Sequence, residues 1–239
     1  MAFVLIHGGG HTSRCWERLT PHLDAPAVAL DLPGRGSRPG PLDTLRLSDF
    51  VDAVVEDLKE ARGQGLGADG FVLVGHSMAG LTIPGVLERS SGLIRHVVFV
   101  SCAIPPEGGS LADVLRPEFQ RYIRSVEPTP AGSASSPEEV RATQCYDMDE
   151  EQTQFTVSIV VPEAIPPMTQ PVSLAGLKRP VPKTWVKPLA DQTFPPDVQT
   201  VMAERAGCGR VVELDAGHLA MISRPEELAT ILNNVHAGR

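Results

Sequence analysis

The sequence predicts an α/β protein: a six-stranded, mostly parallel sheet flanked by helices and interrupted by one inserted cap. Three observations point there. Over the first hundred residues, short β-branched apolar runs alternate with stretches of helical periodicity, a rhythm that implies right-handed crossovers and a parallel sheet. One such run, Phe71-Val-Leu-Val74, passes directly through Gly75-His-Ser-Met-Ala-Gly80 into a helix-forming stretch ending near Arg89. Between Pro105 and about Pro180 the rhythm breaks in a proline-rich segment, after which it resumes.

In chain order, residues 3–6 form a first buried strand that ends in His7-Gly-Gly-Gly-His11. Residues 14–23 set Trp16, Leu19 and Leu23 on one helical face. A second strand, 27–30, closes in the loop signal Asp31-Leu-Pro-Gly-Arg-Gly36. Ser48 is the expected N-cap of a helix through Phe50, Val54 and Leu58, with Asp49 and Asp52 in its first turn. The glycines of 63–70 end it, and strands 71–74 and 94–100 follow. The insertion offers three amphipathic pieces, at 111–123, 137–146 and 150–160, around a Pro/Ser/Ala/Gly loop at 128–137. Strand 183–186, a helix near 197–206, strand 210–214 and a helix from Pro225 complete the chain. The expected division is a core of residues 1–104 and 181–239 and a cap of 105–180.

Composition narrows the function classes. A formal charge of −8 argues against nucleic acid and anionic membranes, both of which select basic surfaces. No apolar run approaches the ~18 residues of a membrane span. Cys15, Cys102, Cys145 and Cys208 lie far apart, without metal-ligand spacing, so free thiols are expected. The N-terminus enters a strand without a basic leader, so a cytoplasmic location is expected.

The chemistry centres on Ser77. Small residues on both sides suit a sharp strand-to-helix turn, which lifts a hydroxyl above the sheet at a helix N-terminus, where N–H groups favour developing negative charge. The strict G-x-S-x-G pattern is missed by one residue, because Ala79 precedes Gly80. A serine nucleophile needs a base, and His218, just past the last strand, is the candidate. A carboxylate must orient that imidazole, and Asp191 follows its strand by a few residues. Asp215 lies too close in sequence to reach the far nitrogen of His218, and Ser101-Cys-Ala103 carries no acid. An oxyanion needs two preorganised donors: the Met78 N–H and one from the glycine loop, with Gly9 preferred over Gly8 or Gly10. Two further motifs fail on context. Gly65-Leu-Gly-Ala-Asp-Gly70 precedes a strand, whereas a dinucleotide fingerprint follows one. His7 and His11 sit on a glycine loop without the glutamate of a zinc helix, so no metal is expected.

Phe3-Val-Leu-Ile-His-Gly-Gly-Gly-His11 with Trp16, Asp31-Leu-Pro-Gly34, Gly75-His-Ser-Met-Ala-Gly80, Asp191-Gln-Thr-Phe-Pro-Pro196, and Gly217-His218 with Arg224-Pro-Glu-Glu-Leu228 together carry a resemblance. The chain resembles the α/β-hydrolase superfamily, and within it the plant methylesterases, hydroxynitrile lyases and their bacterial esterase-like relatives. The resemblance implies the α/β-hydrolase fold and a Ser77, His218, Asp191 triad working without a cofactor. Related lyases have a threonine after the first histidine and a lysine after the catalytic one; here those positions are Gly8 and Leu219. Hydrolysis of a small, largely apolar carboxylic ester, thioester or lactone is therefore expected, with Gly8, Gly10, His11 and Leu219 as substrate-pocket positions. The rivals are a cofactor-free lyase, dehydratase or cyclase, and a non-catalytic small-molecule receptor. A homodimer is compatible with the sequence.

Overall fold

The computed structural model describes residues 1–238. Its first half lays down β1 (Ala2–Ile6), β2 (Ala27–Leu30), α1 (Leu47–Gly63), β3 (Phe71–His76), α2 (Ala79–Ser90) and β4 (Ile94–Val100). The chain then leaves the sheet through α3 (Pro117–Ser125), α4 (Pro137–Gln144), α5 (Glu150–Ile159) and α6 (Pro166–Thr169). It returns with β5 (Lys183–Pro188), α7 (Pro196–Ala206), β6 (Arg210–Leu214), α8 (Ala220–Ser223) and α9 (Pro225–His236).

The six strands form one sheet in the order β2-β1-β3-β4-β5-β6, with every neighbouring pair parallel. Alternation along each strand sends side chains to two cores. Val4, Ile6, Leu73, Phe99 and Trp185 pack beneath α1, α2 and α7, while Phe3, Leu5, Val72, Val98 and Val186 pack beneath α8 and α9. Burial on both faces is why these strands read as continuous apolar runs. From β1 the chain steps outward to β2, then returns to the other side of β1 as β3. This reversal opens a crevice at the carboxyl ends of β1 and β3, the position where open α/β sheets place ligands.

Several local expectations are corrected. The helix expected over residues 14–23 is two short 3-10 turns, Ser13–Trp16 and Thr20–His22. Pro21 lacks the N–H that a continuous helix would need, although Trp16 and Leu19 are buried as their spacing requires. Ser48 is not an N-cap: α1 begins two residues earlier than such a cap would place it, at Leu47, and is capped at Arg46, whose N–H donates to the Asp49 carboxylate at 2.7 Å. The amphipathic stretch 111–123 divides into a 3-10 turn, Leu111–Val114, and α3. Pro117 forces Arg116 into an extended conformation (φ −59°, ψ 149°), which separates the two. α4 and α5 follow expectation and open with reciprocal caps. Ser136 and Glu139 exchange bonds of 3.2 and 2.7 Å, and Asp149 and Gln152 bonds of 2.8 and 3.1 Å. All four cysteines are free thiols, and among the described residues no helix is long and apolar enough to cross a membrane.

Candidate active site

Ser77 occupies the two-residue turn between β3 and α2 with φ of +51°, a region that L-residues with a side chain seldom enter. The turn is held from three directions. The Ser77 N–H donates to Val100 O at 3.2 Å, and Ser77 O accepts the N–H groups of Ala103 (2.8 Å) and Gly80 (3.1 Å). A methyl at Gly80 would overlap the Ala103 carbonyl, so the close approach of α2 to the chain after β4 requires glycine at 80. Ala79 fits within the buried core, which explains the one-residue departure from the usual pattern.

The ends of three strands converge on this serine. The Ser77 hydroxyl lies 3.0 Å from His218 Nε2, and His218 Nδ1 lies 2.8 Å from Asp191 Oδ2. Because Asp191 accepts, Nδ1 carries the proton and Nε2 presents a lone pair to Ser77. Asp191 is buried, which opposes its ionisation. The charge and hydrogen bond of His218, with hydrogen bonds from Ser101 and the Phe194 N–H, outweigh burial and hold its carboxyl below the ordinary range. Oδ1 accepts the N–H groups of Thr193 (2.7 Å) and Phe194 (3.0 Å), while Oδ2 also accepts the Ser101 hydroxyl. Asp215 has no part in this arrangement. A serine, imidazole and carboxylate in this order can pass a proton from hydroxyl to imidazole while the carboxylate stabilises the imidazolium.

Four supporting residues carry roles that the sequence does not assign, although one of them, His76, stands in the motif around Ser77. Ser101, at the end of β4, has a φ of +43°, and that local strain directs its hydroxyl to Asp191. His76 Nε2–H donates to His218 O at 2.9 Å. The Tyr146 hydroxyl accepts the N–H groups of Gln192 (2.9 Å) and His218 (3.0 Å), and Asp147 accepts that of Gly217 at 2.6 Å. The excursion between β4 and β5 thus braces both loops that carry Asp191 and His218.

The glycine loop after β1 faces Ser77. Among the described residues the N–H groups of Gly9 and Met78 have no protein acceptor, whereas the Gly10 N–H donates to Glu163 Oε2 at 2.6 Å. Gly9, Gly10, His11, Ser77, Met78 and His218 border a cavity of about 270 Å³. Leu111, Leu115, Phe119, Ile123, Met168 and Phe194 give it an apolar lining, into which Arg116, Ser133, Ser135, Thr143 and Gln144 also reach. Two expected pocket positions are corrected. Leu219 is fully buried in the core below the site, and Gly8 packs behind Ser77, where an added Cβ would lie 2.8 Å from His76 Nδ1 and 2.9 Å from Ser77 Cβ. Among the described residues no three His, Cys, Asp or Glu side chains are grouped to hold a metal ion.

Three histidines around the site are held neutral. Burial, then the charge of Arg35, lowers His7 from its ordinary 6.5 to about 3. Burial lowers His11 to about 4, and burial with the neighbouring His218 drives His76 well below 6.5. The unfolded chain protonates these groups below its ordinary value while the folded chain does not. Stability is therefore full above about pH 6.5 and declines as pH falls, by up to about 1.4 kcal/mol per pH unit for each histidine. Urea unfolding at pH 7.5, 6 and 5 should show this decline. Equal unfolding free energies at the three values would contradict neutral burial.

Comparison with known proteins is consistent with this fold. The chain is similar to "Probable esterase PIR7A" from Oryza sativa subsp. indica, with 32% identity over 51% of this chain and 46% of that protein. The chain therefore matches about half the length of the rice relatives. It is 27% identical to "Methylesterase 7" from Arabidopsis thaliana over 96% of this chain and 94% of that one. Among solved structures, an extracellular α/β-hydrolase from a Paenibacillus species superposes with a TM-score of 0.84 at 20% identity, covering 97% of each chain. The family model described as "Alpha/beta hydrolase family" matches residues 3–231. With strand order, crevice and sequence match in agreement over nearly the whole chain, this protein belongs to the alpha/beta hydrolase family.

Proposed function

We propose that this protein is a serine esterase that cleaves small, largely apolar carboxylic esters, thioesters or lactones. The observation that carries this reading is the unbroken chain from the Ser77 hydroxyl through His218 to the buried Asp191 carboxylate, at 3.0 and 2.8 Å. In this reading Ser77 attacks the carbonyl carbon as its proton passes to His218 Nε2. The Gly9 and Met78 N–H groups receive the oxyanion, and His218 returns the proton to the leaving oxygen or sulfur. Water then enters the freed volume, loses a proton to His218 as it attacks the acyl carbon, and His218 returns that proton to Ser77 Oγ as the acid leaves. Residues 105–180 act as the cap that supplies the apolar lining. His11 adds a polar feature. Its Nδ1–H donates to Gly9 O at 2.8 Å, so in the neutral ring Nε2 is an acceptor, and it has no partner among the described residues.

The names of these two relatives, esterase and methylesterase, support the same chemistry. Gly8 and Leu219 leave the site without the side chains that mark related lyases. A cavity of about 270 Å³ lies below the roughly 300–1,000 Å³ of sites for drug-sized ligands, which favours short acyl groups. A p-nitrophenyl ester series from acetate to octanoate tests the reading, with kcat/KM expected to be highest for the short esters. A folded protein that hydrolyses none of them and takes no fluorophosphonate label at Ser77 would redirect the assignment to a lyase-type reaction or to ligand binding.

A further inference from the structure

The peptide between Gly9 and Gly10 is pinned at both ends. Its carbonyl accepts the His11 Nδ1–H at 2.8 Å, and its N–H donates to Glu163 Oε2 at 2.6 Å. The next carbonyl, Gly10 O, accepts the Val161 N–H at 2.9 Å, with Gly10 itself at φ +68°. Glu163 and Val161 both belong to the excursion between β4 and β5, so the glycine loop is clamped from outside the sheet. The Glu163 carboxylate is itself fully engaged. Arg35 donates to both of its oxygens, at 2.7 and 2.6 Å, and the Ala164 N–H donates to Oε1 at 2.7 Å. Both side chains are buried, and Arg35 lies against the Phe50 ring of α1 at 5.3 Å.

A carboxylate beside an oxyanion site would oppose catalysis if it were uncompensated. Here Arg35 neutralises it, and the remaining effect is geometric. A peptide group is planar, so fixing the Gly10 N–H fixes the Gly9 carbonyl and with it Gly9 Cα; the preceding peptide, which carries the Gly9 N–H, is then held between that Cα and Gly8, which packs tightly against His76 and Ser77. We propose that Glu163, held by Arg35, is a positioning residue: through Gly10 it aims the Gly9 N–H at the oxyanion. The donor is then set by the seated cap rather than by β1 alone. This assignment rests on the serine-esterase reading above and adds a residue to it.

The test removes the acceptor without stranding a buried charge. In Arg35→Leu/Glu163→Leu an apolar pair replaces the ion pair, an exchange that buried sites often tolerate. Expected are a melting temperature within a few degrees of wild type, kcat lowered about 10- to 100-fold, and KM within about threefold. The inhibition constant of an aryl trifluoromethyl ketone, whose adduct carries an oxyanion, should rise by the same factor as kcat/KM falls. A folded double variant with wild-type kcat, or a loss of kcat with unchanged ketone affinity, would overturn the assignment. Amide NMR of the wild type covers a double variant that does not fold. The Gly9 signal should move on ketone binding while Gly10 stays in place, and the reverse pattern would also overturn it. Absence of any ketone adduct with the wild type would instead remove the esterase reading.

Discussion

Replacing Ser77 by alanine should lower kcat for ester hydrolysis by about 10⁴- to 10⁶-fold, the loss seen when the nucleophile of such a group is removed. His218 keeps its bonds to Asp191 and, through its backbone, to His76 and Tyr146, so the rest of the site has no reason to rearrange. The turn itself is held by backbone bonds of Ser77 that alanine retains. The variant should therefore fold, bind substrate with similar KM or Kd, and carry no mass increment after fluorophosphonate treatment. A single measurement pairs kcat with intact mass. Wild-type turnover by Ser77→Ala would mean that another group performs the chemistry.

Asp191→Asn should cost about 10⁴-fold in kcat with little change in KM, for a reason visible in the hydrogen bonds. Oδ1 accepts two backbone N–H groups, from Thr193 and Phe194, so the amide oxygen of an asparagine must take that position. Its NH2 group then faces His218 Nδ1, which can only accept from it. The ring proton moves to Nε2, and the lone pair that should receive the Ser77 proton is gone. The variant keeps both backbone bonds, so its melting temperature should stay near wild type while its kcat falls. Activity within tenfold of wild type would show that Asp191 does not set the tautomer.

Much of this architecture is legible in short windows of sequence. All six strands lie where short apolar runs place them; the pattern is clearest in β1 and β3, which are buried on both faces, and weakest in edge strand β6, where Arg210, Val211 and Glu213 are exposed. Ser77 stands out for a similar reason, since a strained turn between strand and helix tolerates only small neighbours. His218 and Asp191 are found by position after the last strands. Where the local reading failed, a nearby residue changed the outcome: Pro21 divides the expected first helix, Pro117 splits the first cap piece, and α1 is capped at Arg46 rather than Ser48.

Other features of the site depend on contacts between distant parts of the chain. Ser101 reaches Asp191 across 90 residues, Tyr146 braces His218 across 72, and Arg35 meets Glu163 across 128. Some of these residues stand in motifs, as Arg35, Asp191 and His218 do, but no motif names the partner, and each pair forms only when the sheet brings strand ends together. The choice between Gly9 and Gly10 is of the same kind. Three consecutive glycines are equivalent as letters, and Gly9 and Gly10 become distinct only when the Glu163 carboxylate takes the N–H of Gly10 and leaves that of Gly9 without an acceptor among the described residues. Periodicity and small-residue spacing are short-range properties that a linear chain records. Burying an ion pair or directing an N–H requires atoms to meet within about 3 Å, and folding alone brings them there.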